Sequence, residues 1–213
     1  MSSDVLVTTP AQRQTEPHAE AVSRNRRQQA TFRKVLAAAM ATLREKSYAD
    51  LTVRLVAARA KVAPATAYTY FSSKNHLIAE VYLDLVRQVP CVTDVNVPMP
   101  IRVTSSLRHL ALVVADEPEI GAACTAALLD GGADPAVRAV RDRIGAEIHR
   151  RITSAIGPGA DPGTMFALEM AFFGALVQAG SGTFTYHEIA DRLGYVVGLI
   201  LAGANEPSTG GSE

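Results

Sequence analysis

The chain has 213 residues, of which 48% are hydrophobic, so it is long enough and apolar enough to bury a core. Its formal net charge is zero, but residues 1–90 hold 13 Lys/Arg against 7 Asp/Glu, or +6, and residues 91–213 hold the compensating −6. A basic third on an acidic remainder is the asymmetry of a protein that meets phosphates with one part and keeps them off the other. Cys91 and Cys124 lie far apart, without metal-ligand or redox spacing, and are expected as reduced thiols in a cytoplasmic protein. No apolar run approaches the roughly 18–20 residues a bilayer span needs; the best candidate, Tyr195 to Ala202, is flanked by Arg192 and Gly203, and no membrane partner is expected.

Residues 1–23 are polar, contain Pro10 and Pro17 and lack an apolar period, which predicts a disordered arm. From Arg24 the pattern turns helical: Phe32, Leu36, Ala39, Met40 and Leu43 recur on one face, with Arg33, Lys34, Arg44 and Lys46 on the other. A short second helix opens at the N-cap candidate Thr52 and buries Val53, Val56, Ala57 and Ala60. A third begins at Pro64, where the missing N–H costs nothing, and reaches Phe71. A fourth is capped by Ser72 or Ser73 and stops at Pro90.

Cys91 to Ile101, with Pro98 and Pro100, reads as an extended connection and hinge. Beyond it come helical patterns at about 104–115, 118–129, 135–156, 162–181 and 186–203. Asp134-Pro135 and Asp161-Pro162 each place an N-cap acid before a first-turn proline, and Thr185 with Glu188 forms a capping box. The expected fold is all-α, about nine helices: a headpiece over 24–90, a helical body over 91–206 and a disordered tail over 207–213.

The second and third helices, joined at Lys61 and Val62, have helix-turn-helix spacing, and a major groove about 12 Å wide admits one such helix while the other braces it. The run from Leu51 to Lys74, with Tyr68, Tyr70, Phe71, Ser73 and Lys74 at its end, resembles the TetR family of bacterial regulators over about Arg26 to Val89. The resemblance implies a double-stranded DNA operator as partner. It implies that Arg54 reaches a base edge, that Thr66, Tyr68 and Tyr70 bind phosphates, and that Lys74 adds a charged phosphate contact. Thr52, Ala63, Pro64, Ala65 and Thr69 complete the DNA-facing set, and Arg24, Arg26 and Arg27 are assigned to backbone or minor-groove contact from a flexible arm. From spacing alone, Tyr68, Tyr70 and Phe71 serve equally as core aromatics, and Phe71 is expected in the core.

Two positions depart from the family pattern. Lys61 stands where glycine is usual, and Ala63 where a polar N-cap is usual. A left-handed Lys61 carries strain of about 1–2 kcal/mol, and the missing cap is worth about 1 kcal/mol. The start of the third helix offers no Arg, Asn or Gln, so Arg54 is expected to supply the hydrogen-bonded base readout, with DNA shape and thymine methyl contacts adding the rest.

In the body, small residues recur at three- and four-residue spacing: Ala167, Ala171, Gly174 and Ala175 on one helix, Gly194, Val197, Gly198 and Leu201 on the next. Internal packing explains them as well as a homodimer interface does; the resemblance favours the dimer. Leu110, Val113, Val114, Met165, Phe166, Glu169, Met170 and Phe173 line a ligand cavity or are packed core. With Glu169 as the charged group at hand, a small-molecule effector is expected to be apolar and neutral or cationic. Arg138, Arg141, Arg143, Arg150 and Arg151 read as the wet face of a long helix, and His109 and His149 as structural. No catalytic, metal or cofactor motif is recognised, so no enzyme is expected. A helical carrier with an incidental basic headpiece and a nonspecific architectural DNA binder are the rival readings.

Overall fold

The computed structural model describes residues 16–204. Among them are nine α-helices and two short 3-10 turns. The headpiece comprises α1 (Glu16–Leu43), α2 (Val53–Arg59), α3 (Pro64–Tyr70) and the start of α4 (Lys74–Gln88). The body adds α5 (Met99–Ala111), α6 (Pro118–Asp130), α7 (Pro135–Ile156), α8 (Pro162–Gly180) and α9 (Tyr186–Ala204).

The expected caps are made. Thr52 accepts from the Leu55 N–H, Ser73 from His76, Asp134 from Ala136 and Asp161 from Thr164. Thr185 and Glu188 bond each other's backbone N–H in a reciprocal capping box.

Three local expectations fail. α1 starts at Glu16 and not at Arg24, because its Ala-, Gln- and Arg-rich first half has helical propensity without needing an apolar face. Residues 1–15 and 205–213, including the expected disordered tail, lie outside the described residues. α5 starts at Met99, inside the segment read as an extended hinge, since Pro98 and Pro100 fall at its N-terminus where proline is tolerated. Finally, Arg151 is not on a wet face but 1% exposed. It donates from Nε to the Val89 carbonyl, from Nη2 to Arg87 and from Nη1 to Glu147, and so satisfies carbonyls at the end of α4.

α4 is the element that joins headpiece to body. It packs on α1 at one end and on α6 and α7 along its length. Polar contacts reinforce the junction: the Arg44 guanidinium grips Glu117 at 2.5 Å, Arg143 meets Glu80 at 2.5 Å, and the Ser73 hydroxyl donates to Asp134 at 2.9 Å. α5 packs between α7 and α9, and α8 packs against α6 and α9.

Candidate nucleic-acid interface

The α2–α3 turn is a Schellman motif. The Val62 N–H donates to the Ala57 carbonyl at 3.0 Å and the Lys61 N–H to Ala58 at 3.1 Å, with Lys61 left-handed at φ 53°. Half-buried Val62 supplies the apolar contact that accompanies such a turn. Lysine thus occupies the position glycine fills at least cost, and Ala63 makes no side-chain cap.

α3 buries Ala67 against the headpiece core, and Phe71 follows it inward, stacked on Phe32 with centroids 5.1 Å apart. This leaves Ala63, Pro64, Ala65, Thr66, Tyr68 and Thr69 facing outward, Tyr68 with 51% of its surface exposed. Tyr70 is half-buried, edge-on to Phe32, so it is partly a core aromatic. The Thr69 hydroxyl donates to the Ala65 carbonyl within its own helix.

Thr52, the N-cap of α2, and Arg54 within it are exposed, and Arg54 pairs with no carboxylate among the described residues, whereas Arg59 is held by Glu45 at 2.5 Å. Arg26 and Arg27 are exposed on α1; they are helical residues and not part of a flexible arm. Arg24 lies on the same helix, outside the side chains described.

Lys74 is less free than expected: its Nζ donates to the Tyr48 carbonyl at 3.2 Å and sits 4.3 Å above the Tyr48 ring. The Tyr48 hydroxyl bonds Asn75, and burial pushes its pKa up to about 12. Tyr48 therefore positions the start of α4, a role that sequence reasoning missed because the residue lies in an irregular loop. Lys61 was also left out of the DNA-facing set, although its side chain is exposed next to the start of α3.

The body separates residues that the sequence grouped. A cavity of about 340 Å³ lies between α4, α6, α7 and α8, and of the eight expected ligand residues only Phe173 lines it. Leu110 and Val114 are buried in packed core, Val113 is half-buried, Met170 points outward, and Met165, Phe166 and Glu169 line a separate open groove of about 330 Å³ beside His149. Glu169 is held by His149 at 2.7 Å, away from the cavity. The actual lining includes Tyr82, Cys124, Thr125, Leu128, Arg141, Ile144 and Tyr186. Burial pushes the Cys124 thiol up to about 12, so it is neutral. Gly121 lets the Tyr186 ring lie against α6, where a Cβ would come within 2.5 Å of its hydroxyl.

Of the expected dimer residues, Ala175, Val197 and Leu201 are buried inside the protomer, Ala167, Ala171 and Gly194 are half-buried, and Gly174 and Gly198 are exposed. The large apolar side chains left exposed on α8 and α9 are Phe166, Met170, Phe173, Val177, Tyr195 and Leu199. An open groove of about 770 Å³ runs between these helices. Among the described residues α8, rather than Tyr195–Ala202, is the segment long and apolar enough to cross a membrane, with mean hydropathy 1.2. It packs against α6 and α9, and it carries the Glu169–His149 pair.

The exposed α3, braced by α2 and seated on an aromatic core, has the geometry of a DNA-binding helix-turn-helix. Residues 35–81 match the family model described as "Bacterial regulatory proteins, tetR family". The whole fold is similar to a TetR transcriptional regulator from Rhodococcus sp. RHA1, at 21% identity and a TM-score of 0.69, covering 85% of this chain and 99% of that one. It is also similar to Thermus thermophilus FadR, a TetR-family repressor in complex with lauroyl-CoA, at 18% identity, TM-score 0.60, and 85% and 99% coverage. A third similar structure is Bacillus subtilis FadR in complex with stearoyl-CoA, at 14% identity, TM-score 0.56, and 81% and 98% coverage. Residues 35–81 thus match a TetR-type DNA-binding domain, and the chain as a whole has the fold of the TetR-family structures.

Proposed function

We propose that this protein is a TetR-family transcriptional regulator, not an enzyme: a ligand-responsive repressor that binds a palindromic operator as a homodimer, in the cytoplasm. The observation that carries the reading is the division of the exposed surface. A basic, polar helix-turn-helix lies at one end, and an uncovered apolar face on α8 and α9, with Phe166 65% and Tyr195 72% exposed, belongs to the body. Such a face is larger than single scattered apolar residues and fits a symmetric partner, which also accounts for the apolar length of α8. The proposed domains are a headpiece over 24–90 and a body over 91–206. Two-fold pairing of the bodies sets two recognition helices about one DNA turn, roughly 34–36 Å, apart.

In this reading Arg54 reads a base edge; Thr66, Tyr68, Tyr70 and Lys74 hold phosphates; Thr52, Ala63, Pro64, Ala65 and Thr69 pack along the groove wall. Arg24, Arg26 and Arg27 meet the backbone from α1. Lys74 exchanges its Tyr48 carbonyl for a phosphate oxygen. The effector enters the cavity beside Tyr82, which sits on α4 eight residues beyond Lys74, about 12 Å along the helix. An effector that binds one α4 position better than another shifts the dimer away from operator spacing; equal binding would shift nothing. The ligands in the two FadR complexes support an effector with an apolar body.

Fluorescence anisotropy at near-physiological salt, with DNA tiles from the region upstream of the protein's own gene and from a genome-wide selection, tests the reading. Expected is a preference of about a thousandfold or more for one site over shuffled duplex, at two chains per site. Equal affinity for all selected and shuffled duplexes would refute it in favour of a nonspecific binder. Site selection with Arg54→Ala should relax at least one base position.

A further inference from the structure

Resting on the ligand-responsive reading, we infer that the cavity between α4, α6, α7 and α8 takes a small amphipathic molecule. Its apolar body carries an oxygen acceptor for the Tyr82 hydroxyl at one place and a neutral or anionic end at Arg141 at another. Among the described residues, Tyr82 Oη is the one buried side-chain polar atom without a hydrogen-bond partner. The side chain lines the cavity. A buried hydroxyl left without a partner is costly, and native proteins keep such a group where something absent completes it. A phenol that is fully buried stays protonated, so it offers its hydrogen to an acceptor: a hydroxyl, ether or carbonyl oxygen.

The second marker is charge. Arg141 lines the cavity while its side chain is exposed, and one Nη donates to the Leu128 carbonyl, which fixes the guanidinium beside the opening. No carboxylate lines the cavity among the described residues. A cationic end is therefore repelled, and a carboxylate or another anionic group is drawn to the remaining guanidinium N–H groups. This reverses the neutral-or-cationic expectation, which depended on Glu169. Between the two markers the lining is Leu128, Ile144, Phe173 and Leu176, which calls for an aliphatic or ring body. At about 340 Å³ the cavity is near the small end of the roughly 300–1,000 Å³ span of ligand sites, so bulky head groups stay outside it.

The test uses the full chain and two probes of one length, ω-hydroxydecanoate and ω-hydroxydecyl-trimethylammonium, titrated calorimetrically into wild type, Tyr82→Phe and Arg141→Gln. Wild type is expected to bind the carboxylate saturably and at least tenfold more tightly than the ammonium probe. Tyr82→Phe keeps the shape of the site and should weaken the carboxylate probe about tenfold, the loss of one hydrogen bond. Arg141→Gln should abolish the preference between the probes. No saturable binding by wild type, unchanged affinity in Tyr82→Phe, or preference for the ammonium probe would each overturn the inference. Operator anisotropy without probe is run on the same samples. Specific DNA binding with no probe binding removes the ligand assignment alone, whereas the expected probe pattern with no specific DNA binding sustains the cavity chemistry and removes the regulator reading.

Discussion

Replacing Arg151 with methionine should be among the most destabilising single changes outside the apolar core. The guanidinium is 1% exposed and makes four hydrogen bonds: to Val89 O and Arg87 O at 3.1 Å, to Glu147 O at 3.0 Å and to Glu147 Oε2 at 2.6 Å. Methionine fills similar volume but leaves two carbonyls at the end of α4 without their donor and Glu147 without its buried partner. Breaking a buried charged network of this kind costs about 3–5 kcal/mol, which for a chain of this size lowers Tm by roughly 6–20 °C. The control is its neighbour Arg150, whose side chain is 55% exposed and which also reaches Glu147, at 2.8 Å. Arg150→Met should cost only about 0–1 kcal/mol, because water replaces the lost contact. Scanning calorimetry or thermal circular dichroism on the two variants reads the difference directly. A loss below about 1 kcal/mol for Arg151→Met, or equal losses for both, would refute the assignment of Arg151 as the anchor of α4.

Lys61→Gly relieves the left-handed turn at φ 53°. After subtracting the added freedom of glycine in the unfolded chain it should stabilise the protein by about 0.5–1 kcal/mol, measured by urea denaturation. Thr52→Ala removes the acceptor for the Leu55 N–H and should cost about 1 kcal/mol by the same measurement. Glu147 is held down to about 2 by Arg150 first and Arg151 next, from an ordinary value of 4.5. Its pairing thus stabilises the fold fully above about pH 4.5 and is lost as pH falls toward 2. Glu147→Gln should flatten that acid limb of the stability curve, and an unchanged slope in acid titration would contradict the pairing. Tyr82→Phe, by deleting a buried hydroxyl without a partner, should raise the stability of the ligand-free protein by about 1–3 kcal/mol, seen as a higher urea midpoint.

Local signals determined much of this protein before any tertiary contact was considered. The caps at Thr52, Ser73, Asp134, Asp161 and Thr185, and the first-turn prolines at 64, 118, 135 and 162, act within one or two turns, so spacing alone places most helix starts. The outward set on α3 follows from the same local logic, because burying Ala67 and Phe71 leaves Thr66 and Tyr68 on the opposite face.

Tertiary structure decided what a helical period cannot encode, namely which neighbour a face meets. Phe166 and Met170 look like core on α8, yet they are 65% and 55% exposed. Val197 and Leu201 look like interface, yet they are buried within it. Arg151 reads as solvent-facing and is buried, because α7 happens to pass the open carbonyls at the end of α4. The cavity is still less legible: Tyr82, Thr125, Arg141 and Phe173 come from four helices, and no sequence spacing relates them. Periodicity records that a side chain is sheltered or wet, while the partner that shelters it is fixed only when distant helices pack.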